Sequence, residues 1–169
     1  MMLTALIILV LVLFSFLLFF LDSIFGGLDF GSSSTAASLV VKIIKDRHLE
    51  QGIFYDLGSA RGSFVCKIAQ ALPTMQVTGF DDSSFRVLVS KLRALFLKNI
   101  NFKKADIFKT NLSPANVTFI YLPQELMSGL QEKLQKELKP GAIVISNKVN
   151  FPSWQPTQKL NNLFVYVKN

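Results

Sequence analysis

A single cysteine, Cys66, excludes any disulfide within the chain and fits a reducing compartment. A single histidine, His48, falls between the first helical pattern and the first strand, where a surface histidine is expected ahead of a catalytic base. Residues 1–21 contain no charge, and no lysine or arginine precedes Lys42. A secretory leader needs a basic start and a short apolar core. This run has no basic start, and at about 1.5 Å per residue Met2 to Leu21 is long enough for a hydrocarbon layer of about 30 Å. The expectation is an uncleaved transmembrane helix over residues 1–21. No internal repeat is visible, and the loop described below lacks the Gly-x-x-Gly ending of a nicotinamide dinucleotide site, which argues against an oxidoreductase.

What remains is enough for one α/β domain in a chain of 169 residues. Half of the composition is apolar, with the excess at the N-terminus. All 18 lysines and arginines and all 11 acids follow the apolar run, so the net charge of +7 belongs to the domain. Such a surface is drawn to anionic lipid headgroups, with nucleic acid the competing and less favoured partner because the cations are spread along the chain. Lys42, Lys45 and Arg47 lie C-terminal to the apolar run, which favours a single-pass membrane protein with its domain on the cytoplasmic side. Gly26-Gly27, Gly31 and Ser32-Ser33-Ser34 mark a linker. The expected organisation is an anchor over 1–21, a linker over 22–34 and a domain over 35–169.

Within the domain, strand and helix patterns alternate. Strands are predicted over 53–56, 76–81, 101–104, 117–122 and 142–146, with an antiparallel edge strand over 163–167. Helices are predicted in the 36–50 region, over 62–72, over 84–98, and from Pro123 to the break at Lys139-Pro140-Gly141. The fold class is therefore α/β: a Rossmann-like, doubly wound, mostly parallel sheet with a terminal antiparallel strand, preceded by one N-terminal transmembrane helix. Cys66 is expected as a buried thiol inside a helix.

The chain is organised around Ile53-Phe54-Tyr55-Asp56-Leu57-Gly58-Ser59-Ala60-Arg61-Gly62, a strand that breaks at an acid into a loop of small residues. Gly58, Ala60 and Gly62 leave little side-chain bulk, so a ligand can lie on the backbone at the positive end of the next helix. A plain turn between strand and helix would look much the same. The acid Asp56 and a second acid, Asp81, at the tip of the neighbouring strand favour a nucleotide-shaped cofactor, whose ribose diol needs such an acceptor.

Asp56-Leu57-Gly58-Ser59-Ala60-Arg61-Gly62, Gly79-Phe80-Asp81, Lys104-Ala105-Asp106-Ile107-Phe108 and Leu138-Lys139-Pro140-Gly141-Ala142 resemble the successive motifs of seven-stranded S-adenosylmethionine-dependent methyltransferases. A narrower likeness is carried by Asp106-Ile107-Phe108-Lys109, Val117-Thr118-Phe119-Ile120-Tyr121-Leu122-Pro123 and Phe151-Pro152-Ser153-Trp154-Gln155-Pro156. With the N-terminal run, these segments are similar to the small membrane-anchored protein-lysine methyltransferases, whose mitochondrial members modify the ATP synthase c-subunit and the adenine nucleotide translocase. The chain departs from the pattern Gly-Ser-Gly-Asp-Gly-Arg at Ala60, which fits if its φ is negative, and at Arg61, which replaces an acid.

The resemblance implies S-adenosyl-L-methionine as cofactor, with Asp56, Gly58, Ser59, Gly62, Asp81 and Asp106 around it. Gly58 and Gly62 would flank the methionine part, Asp81 would accept both ribose hydroxyls and Asp106 would approach the adenine amine. Asp56 could instead hold the loop's amides, Asp106 could cap a turn, and Asp82 reads as a helix cap. Methyl transfer is an in-line displacement that asks for orientation and exclusion of water, so no nucleophile, metal or triad is expected. Tyr121 and Pro123 stand where this class places the target amine, and Trp154 would close the substrate side or serve as a hydrophobic anchor. The basic domain would turn this Tyr121 and Trp154 side to the bilayer if that face is the apolar one. The expected acceptor is a lysine of a membrane-associated protein. The alternatives are a lipid or small-molecule methyltransferase and a non-catalytic membrane protein keeping the fold.

Overall fold

The computed structural model describes residues 2–25 and 34–169, with side chains in the first segment described at Thr4 and at 6–17. The chain divides into two units, one holding α1 (Met2–Phe25) and the other everything from Ser34 onward. Nothing breaks a helix before Gly26-Gly27, so α1 runs past Asp22, where the linker was predicted to begin. Among the described residues no helix is long and apolar enough to cross a membrane. The spanning role expected of residues 1–21 therefore stays with the sequence argument. The predicted linker falls mostly on residues 26–33, outside the described residues.

The second unit is built of α2 (Ser34–Asp46), β1 (Ile53–Leu57), α3 (Ser63–Ala71), β2 (Gln76–Asp81), α4 (Ser84–Arg93), β3 (Ile100–Lys104), β4 (Val117–Ile120), a 3-10 turn (Gln124–Leu126) running into α5 (Met127–Glu137), β5 (Ile143–Asn147), β6 (Gln158–Leu160) and β7 (Leu163–Val167). The strands form one seven-stranded sheet in the order β3-β2-β1-β4-β5-β7-β6. The first five are parallel, β7 is antiparallel to β5, and β6 pairs antiparallel with β7. This is the predicted Rossmann-like α/β architecture. One detail differs: β7 lies inside the sheet, and the short β6 takes the edge that was assigned to 163–167.

Strand alternation sends the apolar residues to two cores. Phe54, Val77, Phe102, Phe119, Ile145 and Val165 meet α2, α3 and α4 on one face, while Leu57, Phe80, Ile120, Val144 and Tyr166 meet α5 on the other. Cys66 is buried in the first core, and burial pushes its thiol pKa up, so it packs as a small hydrophobe. His48 is exposed at the turn after α2, as expected. Because β1 has β2 on one side and β4 on the other, the chain reverses its winding direction there. The carboxyl ends of β1 and β4 flank the crevice in which doubly wound sheets hold their ligands.

Candidate functional site

Three segments converge at that crevice: the loop from β1 to α3, the end of β2, and the chain leaving β4. Parallel register places Asp56 beside Gly79 and Leu57 beside Phe80. Asp56 and Asp81 thus stand on the α3 side of neighbouring strand ends, both nearly inaccessible at 4% and 3% exposure. Burial, and secondarily the charge of Asp81, push the Asp56 pKa up to about 8. Asp81 is also raised by burial, against the opposing pull of the Ser83 amide, the Arg86 guanidinium and the Ala60 amide.

The loop is fastened from behind. The amides of Gly58 and Ser59 donate to the Phe80 carbonyl at 2.9 and 2.8 Å, and the amide of Gly62 donates to the Ser59 carbonyl at 2.9 Å. The Ala60 amide donates to Asp81 Oδ2 at 3.0 Å, and the Ser83 amide donates to Asp81 Oδ1 at 2.9 Å. The loop-holding role considered for Asp56 therefore falls to Phe80 and Asp81, because β2, not β1, runs beneath the loop. Asp81 carries a further partner, with Arg86 Nη1 donating to its Oδ2 at 3.4 Å. Ser90 Oγ, from the same helix, donates to the Ala60 carbonyl at 3.1 Å.

Gly62 has φ of 75° as the residue preceding α3, and a Cβ there would stand 2.7 Å from the Phe102 ring. Gly79 leaves the space that Ser59 Oγ fills, since a Cβ on it would come within 2.7 Å of that oxygen. Ser59 Oγ is itself buried without a hydrogen-bond partner, an expensive state for a hydroxyl and the feature here that most asks for a ligand.

Ala60 contradicts its expectation: its φ is +49°, in the left-handed region, not negative. The bond to Asp81 and the bond from Ser90 hold it there. A left-handed alanine costs about 1–2 kcal/mol, and glycine returns about 0.4–1 kcal/mol of that to the unfolded chain. Ala60→Gly is accordingly expected to stabilise the protein by about 0.5–1 kcal/mol in urea unfolding. A loss of stability would mean that the Ala60 methyl group contributes packing that outweighs its strain.

The other sequence candidates are placed less uniformly. Asp106, after β3, is exposed; its Oδ1 accepts from the Phe108 amide at 2.9 Å and Lys109 Nζ lies 3.7 Å from Oδ2, so it caps a turn. Asp82 does not cap α4: Ser83 does, accepting from the Arg86 amide, while Asp82 pairs with Arg86 at 3.8 Å in solvent. Leu122 closes over the β1–α3 loop, as a Cβ on Gly58, whose φ is +88°, would meet its Cδ2 at 2.7 Å. Tyr121 is half-buried against the α3-side core, with Lys148 Nζ 5.2 Å from its ring centre, and Pro123 is exposed beside it in sequence. Trp154 belongs to the other core, stacked on Phe151 at 5.6 Å and tilted against Tyr166 at 5.2 Å. The structure thus does not pack Tyr121 and Trp154 together, and the anchoring role weighed for Trp154 matches its surroundings.

Sequence reasoning missed three contributors. Arg86 and Ser90 reach back from α4 to the loop and its acid, and only their spacing from the Ser83 cap hinted at a shared face. Gln131, buried in α5, accepts from the amides of Ser153 and Trp154 at 3.1 Å each and so fixes the Trp154 segment. A glutamine in line with Met127, Leu130 and Leu134 on the apolar side of the helical spacing was its signal.

Comparison with known proteins bears on the whole of this region. The profile of the ANTKMT methyltransferase domain matches residues 56–158. The chain is 28% identical over 131 residues to the adenine nucleotide translocase lysine N-methyltransferase of Mus musculus, covering 75% of this chain and 55% of that one. It is 32% identical over 121 residues to the ATP synthase c-subunit lysine N-methyltransferase of Homo sapiens, covering 69% and 49%. The chain thus spans about half the length of these relatives. In fold it is similar to an RNA methyltransferase from Salinibacter ruber solved with S-adenosyl-L-homocysteine, with TM-score 0.72, 21% identity, and coverage of 81% of this chain and 92% of that one.

Proposed function

The chain belongs to the family of the ANTKMT methyltransferase domain, and we propose that it is an S-adenosyl-L-methionine-dependent N-methyltransferase acting on a lysine of a membrane-associated protein. The observation that carries this reading is the fastened Gly58–Gly62 loop at the reversal of the sheet, with an unpartnered Ser59 hydroxyl and two buried carboxylates behind it. These residues fit the cofactor. A glycine-lined backbone accepts its methionine part, Ser59 Oγ gains a partner, and Asp81 offers carboxylate lone pairs to a ribose diol. When bound, the cofactor supplies an electrophilic methyl group on a positively charged sulfur.

The protein's own work is orientation. Leu122 over Gly58 keeps water from the loop, and the chain leaving β4 at Tyr121 and Pro123 borders the place where an acceptor amine would lie. A lysine must lose its proton before it attacks, and burial beside a carbonyl or carboxylate that accepts the proton would arrange both steps. Gly58, Ser59 and Gly62, with Asp56 and Asp81, form the cofactor side of the proposal. Asp106, whose Oδ1 caps its turn, joins it through the exposed Oδ2, and Trp154 supports the substrate side from the neighbouring core. The near-complete coverage of Asp81 favours one second reading, a fold retained without transfer.

The domain organisation proposed is a membrane span over 1–21 in a helix that continues to Phe25, a tether over 26–33 and a catalytic domain from Ser34 onward. By its Gly- and Ser-rich composition a tether of about eight residues has a coil reach of roughly 16 Å, which would keep the site near the bilayer on its cytoplasmic side. A membrane-embedded acceptor then meets the enzyme at raised effective concentration. The test compares the full chain with one starting at Ser34, each given labelled methyl donor on membranes and on soluble extract. Labelling of a membrane protein by the full chain, reduced severalfold without the N-terminal segment, is expected. Equal labelling of soluble proteins by both forms, with no membrane protein labelled, would refute the acceptor class.

A further inference from the structure

Helix α4 is apolar on the wrong side. Val87 is buried in the α3-side core and Ser90 against the β1–α3 loop, as an amphipathic helix requires. Yet Phe85, Leu88, Leu92, Leu95 and Phe96 also point outward, with Leu88 55% and Phe96 95% exposed. Their spacing of three, four and three residues draws one stripe along the helix and into the turn that follows. Scattered exposed leucines need no explanation, but a continuous stripe ending in a bare phenylalanine does.

The surroundings of the stripe say what covers it. From Ser84 to Lys104 the sequence contains no acid, while it holds Arg86, Lys91, Arg93, Lys98, Lys103 and Lys104. Lys91, Lys98 and Lys104 are exposed, the last on β3, the edge strand against which α4 packs, at the register position of Asp81; Lys103, beside Phe80, falls on the opposite face of the sheet. The acids at the start of the helix are Asp81 and Asp82, both engaged by Arg86. An apolar stripe rimmed by cations is the pattern of a helix lying in a membrane interface, its side chains at the headgroup and acyl boundary and its cations among anionic headgroups.

We infer that the α4 face, from Phe85 to Phe96 with Lys104 of β3, is a docking surface for an anionic lipid bilayer. A second copy of the chain fits worse, because a two-fold contact would set this acid-free face against itself. The inference also replaces the expectation that Tyr121 and Trp154 would face the lipid, since Trp154 is already packed on Phe151 and Tyr166. It depends neither on methyl transfer nor on a span over 1–21. It has one geometric consequence: α4 holds Asp81 through Arg86 and the Ala60 carbonyl through Ser90, so the loop at Gly58–Gly62 lies one helix diameter, about 10 Å, from the headgroups.

An environment-sensitive fluorophore on a cysteine introduced by Leu88→Cys or, separately, Leu95→Cys in the full chain tests this, Cys66 being buried and poorly reactive. The chain is reconstituted at one copy per nanodisc, with discs of phosphatidylcholine alone or mixed with phosphatidylserine. In the anionic discs, emission at both positions should shift to the blue and be quenched severalfold by lipids carrying a quencher on the acyl chain. High salt should weaken both effects, and a label at Glu132→Cys on α5 should show neither. Labels at 88 and 95 that remain as solvent-exposed as that control would overturn the inference, as would quenching equally strong in neutral discs. Shielding that appears in detergent and grows with protein concentration would assign the face to a second copy instead. Co-elution of the chain with the discs reads the N-terminal segment separately, so the two membrane contacts can fail independently.

Discussion

Asp81→Ala is expected to weaken adenosylmethionine binding by at least tenfold in calorimetry, the largest loss of affinity for any single change at the proposed site. A carboxylate accepting two ribose hydroxyls contributes about 1.5–3 kcal/mol per bond, and each 1.4 kcal/mol is about a factor of ten. The structure adds a second consequence. Asp81 also accepts from the Ala60 and Ser83 amides, so the alanine variant loosens the loop and costs stability on the order of 1–3 kcal/mol. Asp81→Asn separates the two effects, because its amide oxygen, turned to the Ala60 amide, keeps the acceptor for the loop and gives up only the bond from Ser83, while the charge that strengthens the diol bonds is gone. Loss of affinity in both variants, with the loop of Asp81→Asn protected from hydrogen exchange as in the parent, identifies Asp81 as the ribose acceptor. An unchanged dissociation constant in folded Asp81→Ala would move the cofactor elsewhere and strengthen the non-catalytic reading.

Asp81 also shows what can be read from a chain before its fold is known. Its place at a strand tip was legible, since β2 ends where apolar alternation meets two acids, and the predicted 76–81 is the observed span. Its partners were not, because Arg86 in the first turn of a helix reads as a solvated charge until the Ser83 turn folds it back onto the carboxylate. Helix α4 was expected to reach 98 because Ala94-Leu95-Phe96-Leu97 continues the apolar spacing. It stops at Arg93, and Asn99 Nδ2 donates to the carbonyls of Ala69, Leu72 and Met75 at 3.0, 3.0 and 3.1 Å, drawing the chain away into β3. The same overrun hid the exposed stripe, since a longer helix would have been assumed to bury it. β6 was missed because Gln158-Lys159-Leu160 is too short to alternate, and it is recognised only by its pairing with β7. The left-handed Ala60 escaped because local chemistry disfavours it. Tertiary bonds from two other elements impose it.

Asp56 gives the second large effect, on stability against pH. With its pKa pushed to about 8 from an ordinary 3.8, the folded chain holds a proton across this interval that the unfolded chain releases. The stabilisation is therefore complete below about pH 4, declines as pH rises toward about 8, and is lost above it. About 1.4 kcal/mol per pH unit over about four units sets a ceiling near 6 kcal/mol, reduced to the extent that Asp81 shares the titration. Asp56→Asn, neutral at every pH and nearly the same shape, should abolish most of this slope and be markedly more stable than the parent at pH 8.5. Urea unfolding between pH 5 and 8.5 measures it, and parallel curves for the two proteins would show that Asp56 is ionised throughout. The same proton bears on the ligand. A cofactor carrying positive charge on its sulfonium and ammonium groups favours ionised carboxylates behind the loop, so binding should expel a proton and tighten as pH rises from 6.5 to 8.5. Calorimetry in buffers of different ionisation enthalpy reads that proton directly. Its absence from the parent, or its persistence in Asp56→Asn, would place the cofactor's charge away from this pair of acids.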